Sequence, residues 1–225
     1  MSYINIAVDG HSASGKSTVC DLVAKKLNIN HLSSGALYRA IALYLIRNNI
    51  DYKIFLKGEE NFIDIKKILK GVKLNVTFEN FVQKIILNNE DVTNLLNTSE
   101  ISFLASNISQ NILVRELVME VQKKLAKTQN IIIDGRDITS VVLKNSKNKF
   151  FITASIDSRA KRRYLQYNKK IPLKKIKQEL LERDFKDETR EISPLKIEKD
   201  AIIIDTTNLT TEKTVDKLID LIKLS

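Results

Sequence analysis

The residues from Gly10 to Ser17 have the types and spacing of a phosphate-binding loop. They fit the pattern G-x-x-x-x-G-K-S/T. Glycines in such a loop let the backbone turn its N–H groups toward phosphate oxygens, and the N-terminus of the following helix adds positive potential. The loop therefore predicts a bound nucleoside triphosphate, although a plain glycine turn between two packed elements is the alternative.

Within this loop we expect Lys16 to reach the outer phosphates and Ser17 to offer its hydroxyl to Mg²⁺. The residues expected to contact the nucleotide are Gly10, His11, Ser12, Ala13, Ser14, Gly15, Lys16, Ser17 and Thr18. The loop does not name the acceptor of the phosphate, which the rest of the chain must supply.

A second group with chemical potential is Asp134-Gly135-Arg136-Asp137, which follows an apolar run. A carboxylate directly after a buried strand in a protein with a phosphate loop usually lies near the metal. Arg136 can bind a phosphate through two parallel hydrogen bonds. Asp137 can only accept hydrogen bonds when ionised, so it would select a donor on its ligand. These residues favour a binding site, and a plain turn is the alternative.

Three arginines fall close together near the start of a predicted helix, namely Arg159, Arg162 and Arg163. They fit either a solvated, charge-paired face or a mobile lid that closes on the transferring phosphoryl group. Their position after a predicted strand end favours the lid. The mixed-charge run from Arg183 to Arg190 is open to both interpretations.

The two histidines, His11 and His31, have no cysteine or carboxylate partners at metal-binding spacing. No Ser/His/Asp or Cys/His arrangement is visible either, which disfavours covalent catalysis. The expected mechanism is therefore phosphoryl transfer by positioning and charge.

These residues need a framework, and the apolar pattern predicts an α/β chain in which strands alternate with helices. The expected strands are 4–8, 28–32, 130–134, 150–154 and 201–205. The expected helices follow the phosphate loop to residue 27 and span 36–46, 101–127 (as one helix or two), a segment capped by Asp157 and Ser158, 173–184, and 211 to the C-terminus. Such alternation predicts a parallel sheet with helices on both faces, whose ligands bind beyond the C-terminal strand ends.

Residues 61–97 differ from this pattern, because two alternating strands joined by turn residues follow a short helix. We expect a small antiparallel insertion over one ligand, with residues 1–60 and 98–225 forming the core. Arg39 is expected in the first turn of the helix at 36–46, where the helix dipole opposes a cation unless an anion is bound.

Composition limits the class of protein. The 225 residues are 43% hydrophobic and suffice for one sizeable core. The formal net charge of +10 suits a nucleic-acid ligand, but the lysines are scattered, so we expect a solvated basic surface and no nucleic-acid partner. The single cysteine, Cys20, excludes an internal disulfide. We expect no signal peptide, no membrane span, a cytoplasmic location and a monomer.

Together the motifs resemble those of the bacterial cytidylate kinases. The phosphate loop alone occurs in many families, whereas S-G-A-L-Y-R at 34–39, D-G-R-D at 134–137 and the long insertion are specific to this one. Further stretches that carry the resemblance are Asn89–Thr93, Val114–Glu116, Arg159–Arg163, Glu182–Arg190, Ser193–Leu195 and Asp205–Thr207. His11 and Ala13 stand where the family usually has proline and glycine.

The resemblance implies a P-loop NTPase fold and phosphorylation of CMP and dCMP by ATP with Mg²⁺. It implies that Lys16, Arg136, Arg159 and Arg163 act in catalysis, that residues 61–97 bind the nucleoside monophosphate, and that a helical lid covers about 157–190. Arg39 and Arg136 would hold the acceptor phosphate. Ser34, Arg115, Asp137 and Arg190 would contact the cytosine, and Ser106, Arg183 and Asp187 the ribose.

Two other functions remain open from the residues. The basic charge and the phosphate loop also fit an NTPase that acts on nucleic acid, although no aromatic stacking array accompanies them. A kinase of another small acceptor, such as shikimate or a different nucleotide, would share the loop. The S-G-A-L-Y-R and D-G-R-D stretches argue against it.

Overall fold

The structure, a computed structural model, describes residues 3–56 and 59–223. Residues 1–2, 57–58 and 224–225, which belong to the predicted core and the end of its closing helix, lie outside the described residues. The chain divides into two compact units. The first comprises residues 1–31 and 129–225, and the second comprises residues 32–128.

The strands and helices alternate along the chain. The strands are β1 (Asn5–Asp9), β2 (Asn30–Ser33), β3 (Leu74–Glu79), β4 (Val82–Leu87), β5 (Glu90–Asp91), β6 (Ile131–Asp134), β7 (Asn148–Thr153) and β8 (Ile202–Asp205). The α-helices are α1 (Lys16–Leu27), α2 (Ser34–Arg47), α3 (Phe62–Lys70), α4 (Ser99–Ile108), α5 (Ile112–Ala126), α6 (Ile156–Gln166), α7 (Leu173–Thr189) and α8 (Thr211–Leu221). A π-helical turn spans Ile138–Val142, and 3₁₀ turns span Tyr52–Leu56, Glu59–Asn61 and Thr93–Leu95.

A five-stranded parallel sheet has the order β2-β6-β1-β7-β8 and is flanked by helices. The central strand β1 pairs with β6 on one side, where Val8 faces Asp134, and with β7 on the other. The apolar residues of β1, β6 and β7 are fully buried because both faces of a parallel sheet are covered. The predicted α/β class, with a parallel sheet flanked by helices, is confirmed.

The core of the first unit explains why α1 and α8 dock as they do. Val19, Cys20 and Val23 of α1 pack with Val215 and Leu218 of α8 in one buried cluster, together with apolar residues of the sheet. Their spacing of three or four residues places them on one helix face. This packing holds the start of α1, and hence the phosphate loop, against the end of β1. It also buries Cys20 in the core.

The second unit contains the predicted antiparallel sheet, with the order β3-β4-β5. Asn80 and Phe81 form its first hairpin turn and both have positive φ angles, 49° and 67°. Two such residues match the twist of a two-residue hairpin. Residues 101–127 form two helices, α4 and α5, because the chain turns at residues 109–111, where the Asn111 side chain caps α5 by accepting from the N–H of Leu113 and Val114.

Several predicted boundaries are wrong. Helix α2 begins at Ser34, two residues before the predicted start, so Arg39 lies in its second turn and the helix-dipole argument for Arg39 does not hold. Helix α7 continues to Thr189, five residues beyond the predicted end at 184. The prediction ended too early because the polar residues of this segment show no apolar helical period. The cap of α6 is Ser155, whose Oγ accepts from the N–H of Ser158, and not Asp157 or Ser158.

Within residues 3–56 and 59–223, every helix is too short or too polar to cross a bilayer.

Candidate active site

The phosphate loop joins β1 to α1, and its backbone is shaped by three residues with positive φ. Gly10 has a φ of 144°, and a Cβ there would overlap the carbonyl of Ile152 in β7. Gly15 has a φ of 92° and immediately precedes α1. Ala13 has a φ of 59°, a left-handed conformation that glycine adopts more easily. The backbone at position 13 therefore has a conformation that suits glycine, although the residue there is alanine.

Lys16 folds back over this loop. Its Nζ donates to the carbonyl oxygens of Gly10 at 2.7 Å and His11 at 2.6 Å. Burial and the nearby charge of Arg136 lower the pKa of Lys16 to about 7, against the opposing effect of Asp134 and other groups. The nearby carboxylates do not restore the ordinary pKa of Lys16, and the negative charge of a phosphate bound at the loop would stabilise its ammonium form.

The N-terminus of α1 also favours an anion. Its first turn contains no acidic residue, and its N-cap residue is Gly15. Among the described residues, no side chain caps this end of the helix. The free N–H groups and the dipole of such a helix end attract phosphate oxygens.

Ser17 and Asp134 meet beside the loop. The exposed Ser17 donates its hydroxyl to Asp134 Oδ2 at 2.9 Å, so the lone pairs of Ser17 Oγ remain available to a cation. Mg²⁺ takes one or two protein oxygens and completes its shell with water and substrate phosphates. Among the described residues, no group of three or more His, Cys, Asp or Glu side chains is arranged to hold a metal ion by itself. Ser17 and Asp134 therefore fit Mg²⁺.

The other oxygen of Asp134 faces His31. His31 Nε2 lies 2.8 Å from Asp134 Oδ1, and His31 Nδ1 lies 2.5 Å from Asp21 Oδ1 in α1. Burial opposes a charge on His31, but the hydrogen bonds and charges of the two carboxylates outweigh it and raise the pKa of His31 to about 9. Burial likewise raises the pKa of Asp134, but His31, Lys16 and Ser17 outweigh it and hold that pKa below its ordinary value.

Arg136 also reaches the phosphate loop. Its Nη2 donates to Ser12 Oγ at 2.8 Å and its Nε to Asp187 Oδ2 at 2.8 Å. Burial raises the pKa of Asp187, but the charges of Arg136, Arg183 and Arg190 outweigh it and hold that pKa below its ordinary value. Four predicted site residues are thus brought together in the first unit: Arg136, Arg183, Asp187 and Arg190.

The turn that follows Asp137 is held by a buried carboxylate, Asp9, at the end of β1. Asp9 accepts hydrogen bonds from the N–H of Ile138 at 2.9 Å, and from the N–H and Oγ1 of Thr139 at 2.8 and 2.6 Å. Burial outweighs these bonds and raises the pKa of Asp9 to about 6. The π-helical turn that begins after Asp137 is therefore anchored to β1.

Two arginines of α6 bind the loop backbone. Arg159 Nη1 forms a buried ion pair with Asp184 of α7 and donates to the carbonyl of Ser12 at 3.3 Å. Arg162 Nη1 donates to the carbonyl of Ser14 at 3.1 Å, and its Nη2 to the carbonyl of Thr206 at 2.6 Å. Both side chains therefore tie α6 to the phosphate loop.

Arg163 and His11 lie differently. Arg163 is half-buried, and its guanidinium carbon lies 5.7 Å from the ring centroid of Tyr167. His11 bridges two elements, with Nδ1 3.0 Å from Thr153 Oγ1 and Nε2 2.9 Å from Glu188 Oε1 of α7. His11 thus links the phosphate loop to the end of α7.

The remaining predicted residues belong to the second unit. Buried Ser34 accepts a hydrogen bond from Gln122 Nε2 at 2.7 Å. Arg39 Nη1 donates to Asn97 Oδ1 at 3.1 Å. Buried Arg115 donates to the carbonyl of Ser109 at 2.9 Å and lies 5.9 Å from the ring centroid of Tyr38. The Ser106 carbonyl accepts from Ser109 Oγ at 2.9 Å.

Comparison with known proteins assigns the chain to a family. The family model described as cytidylate kinase matches residues 6–224. The chain belongs to the cytidylate kinase family. A cytidylate kinase of Caldicellulosiruptor saccharolyticus is 38% identical over 98% of this chain and 96% of its own length. A cytidylate kinase of Carboxydothermus hydrogenoformans is 39% identical over 97% of both chains. Membership of the cytidylate kinase family makes the protein a phosphotransferase.

One solved structure that is similar to this cytidylate kinase family member is more distant in sequence. A shikimate kinase from Acinetobacter baumannii, solved with shikimate, is 14% identical and has a TM-score of 0.46, with 99% of this chain and 96% of that chain covered. A likeness of this degree adds nothing to the family assignment.

Several contacts of this candidate site could not be predicted from the sequence. The partners of His31 lie 10 and 103 positions away, so no local spacing shows them. Asp184 and Glu188 stand in a charge run whose pattern suits a solvated surface equally well. The role of Asp9 could have been recognised from the sequence, because a carboxylate at the end of a buried apolar strand needs hydrogen-bond partners.

Proposed function

We propose that this protein transfers the γ-phosphoryl group of ATP to CMP and dCMP, with Mg²⁺ bound to the phosphates. The observation that carries the proposal is the phosphate loop of a cytidylate kinase family member, in which Lys16 is buried beside Arg136 and Ser17 is oriented by Asp134. Two cations and an open helix N-terminus suit a triphosphate better than a monophosphate.

The donor triphosphate binds to the loop residues 10–18. Lys16 exchanges its bonds to the loop carbonyls for bonds to phosphate oxygens, which keep its ammonium charged. Mg²⁺, when bound, screens the charge of the phosphates, and Ser17 is the residue that would hold it. Positioning and charge supply the rate enhancement, because phosphoryl transfer needs little covalent chemistry from the protein.

In the first unit, Arg136 and Asp137 are proposed to recognise the acceptor. Arg136 already lies at the phosphate loop through Ser12, so it would hold the acceptor phosphate and neutralise developing charge. Asp137 would accept from the exocyclic amino group of cytosine, whereas uracil presents a carbonyl oxygen there. An unpaired or repelled carboxylate would then discriminate against UMP.

The other residues carried over from the family stay proposals as well. Arg183 and Asp187 are proposed for the ribose and Arg190 for the base. In the first unit, the charges of Arg183 and Arg190 both act on the carboxylate of Asp187. In the second unit Ser34 and Arg115 are proposed for the base, Ser106 for the ribose and Arg39 for the phosphate, with residues 61–97 as the monophosphate-binding insertion.

Residues 157–190 are proposed to act as the lid. Arg159 and Arg163 would bind the transferring phosphoryl group in the closed state. Arg159 would have to leave Asp184 to do so. Among the described residues, Arg163 has one long hydrogen bond, to Gln166 at 3.4 Å, and its contact with the ring of Tyr167. Closing of the lid would therefore break fewer contacts of Arg163 than of Arg159.

The decisive experiment is a screen of phosphate acceptors with ATP and Mg²⁺, scored by ADP formation. CMP and dCMP should be phosphorylated far faster than UMP, AMP or shikimate, and the Lys16→Ala variant should be inactive with all of them. Faster turnover of UMP or AMP would overturn the base assignment.

The same screen separates the nucleic-acid alternative. ATP hydrolysis stimulated by DNA or RNA, and falling steeply with salt, would favour a nucleic-acid NTPase instead. We propose that the enzyme acts in the cytoplasm as a monomer without a nucleic-acid partner. A mass of one chain by light scattering, close to 25.7 kDa, would support the monomer.

A further inference from the structure

His31 occupies a position that the proposed mechanism does not use. Its side chain is 3% exposed, and each ring nitrogen faces a carboxylate oxygen, one from Asp21 and one from Asp134. A neutral imidazole has one N–H donor and one acceptor, so it satisfies only one of these carboxylates. The geometry therefore fits an imidazolium that donates to both.

The contacts of His31 form a closed ring of hydrogen bonds. Ser17 and Asp21 lie four residues apart in α1 and therefore face the same side of the helix. Asp21 contacts His31 on β2, His31 contacts Asp134 on β6, and Asp134 accepts from Ser17. The ring thus begins and ends on the first two turns of the helix that follows the phosphate loop.

The two oxygens of Asp134 have separate tasks in this ring. Oδ1 is held by His31, which leaves Oδ2 directed at the Ser17 hydroxyl. Without His31, Asp134 would keep Ser17 and Lys16 as its partners, and Oδ1 would lose a charged donor in a buried site. The carboxylate would then turn toward the remaining cation, Lys16. The Ser17 hydroxyl would no longer be held in its present direction.

We propose that His31 is a positioning residue of the donor site: by fixing Asp134, it directs the Ser17 hydroxyl so that its lone pairs face the bound Mg²⁺. This inference rests on the proposed function, because it assumes that Mg²⁺ accompanies the nucleotide at Ser17. Groups that orient metal ligands from behind commonly set affinity, and their removal costs about 10- to 100-fold in metal binding.

The test measures binding and not turnover. A non-hydrolysable ATP analogue is titrated into the protein by calorimetry, in EDTA and at a series of Mg²⁺ concentrations. For the wild type, Mg²⁺ should tighten binding. In His31→Leu the gain from Mg²⁺ should shrink about tenfold, while the affinity in EDTA stays within about twofold. His31→Gln, whose amide N–H₂ group can still donate to one of the two carboxylates, should restore part of the gain.

Lys149→Gln is the matched control. Lys149 is another buried cation of the same sheet, paired with Asp200 at 2.8 Å. It should lose stability as His31→Leu does, yet keep the full gain from Mg²⁺. If His31→Leu loses stability and keeps the full gain as well, then His31 is only structural and the proposal is overturned.

Asp21→Asn keeps the test open if the leucine variant does not fold. Asp21 is 48% exposed, so its substitution is tolerated more easily, and it weakens one of the two bonds that orient His31. A smaller loss of the Mg²⁺ gain supports the proposal, and an unchanged gain contradicts it. A wild type that shows the Mg²⁺ gain but does not phosphorylate CMP would refute the proposed acceptor and leave this test valid.

Discussion

Charged pairs around the phosphate loop are buried, whereas a charged pair on the small antiparallel sheet is exposed. Around the loop, the pairs Arg159–Asp184 and His31–Asp134 have side chains that are less than a tenth exposed. In the second unit, the Lys84–Glu79 pair of the hairpin has side chains 43% and 62% exposed. Charges interact far more strongly when water is excluded. The comparison indicates that charge has a structural and chemical role near the loop and chiefly a solubility role on the sheet.

The largest expected effect comes from removing the charge at the centre of the loop. Lys16→Ala should lower CMP-dependent ADP formation by at least about 10²- to 10³-fold, because a positioned cation next to the transferring phosphate is lost. Thermal unfolding should change little, since Lys16 bonds mainly to carbonyls of its own loop. Lys26→Ala on the exposed side of α1 is the control and should keep full activity. An active Lys16→Ala enzyme would remove the loop from the mechanism.

The next effect is on stability. Asp184→Ala leaves the Arg159 guanidinium buried without its carboxylate, and removes the acceptor of the Ser12 N–H. Breaking a buried ion pair from one side costs about 3–5 kcal/mol in the free energy of unfolding, which urea titration measures. Replacing both residues by leucine should cost less than the single change. A loss below about 1 kcal/mol for Asp184→Ala would show that this pair behaves like an exposed one.

The same comparison explains what the sequence can predict. The phosphate loop, the alternating strands and helices, and the antiparallel hairpin follow from local spacing, so their prediction needs no knowledge of distant contacts. The partnership of His31 with Asp134 depends on β2 lying next to β6 in the sheet order, which periodicity does not reveal. The end of α7 cannot be predicted for a different reason: its charged residues lack the apolar period that indicates a helix.

The free energy of unfolding should depend on pH through His31, which is buried near the phosphate loop. The pKa of His31 is raised in the folded state to about 9 from 6.5. Its contribution is therefore fully present below pH 6.5 and is lost as the pH rises through 9. The contribution is at most about 3 kcal/mol in the free energy of unfolding.

The measurement is urea unfolding of the wild type and His31→Gln between pH 6 and pH 10. The pKa of Lys16 is lowered to about 7 in the folded state, so Lys16 acts in the opposite direction, and the difference between wild type and variant removes it. That difference should fall with rising pH. A constant difference would mean that His31 is not held as a cation.

A smaller effect is expected from the backbone of the loop. Ala13 has a φ of 59°, which costs an L-residue about 1 kcal/mol more than glycine. Ala13→Gly should therefore raise the free energy of unfolding by at most about 0.5 kcal/mol, after the added freedom of the unfolded chain, about 0.4–1 kcal/mol, is subtracted. Ala24→Gly within α1 should act in the opposite direction, because glycine destabilises a helix interior. A loss of stability in Ala13→Gly would show that the side chain of Ala13 contributes packing that exceeds its backbone strain.

The smallest effect is expected on the surface of the second unit. Arg47 and Glu90 form two hydrogen bonds, Nη1–Oε2 at 2.5 Å and Nη2–Oε1 at 2.9 Å, but their side chains are 39% and 51% exposed. Solvent screening and the entropy of two long side chains offset the gain from such a pair. Glu90→Gln should therefore leave the urea midpoint unchanged within error at both low and high salt. A salt-sensitive loss as large as that of Asp184→Ala would show that exposure is the wrong criterion, and that paired geometry determines the strength of these charges in both regions.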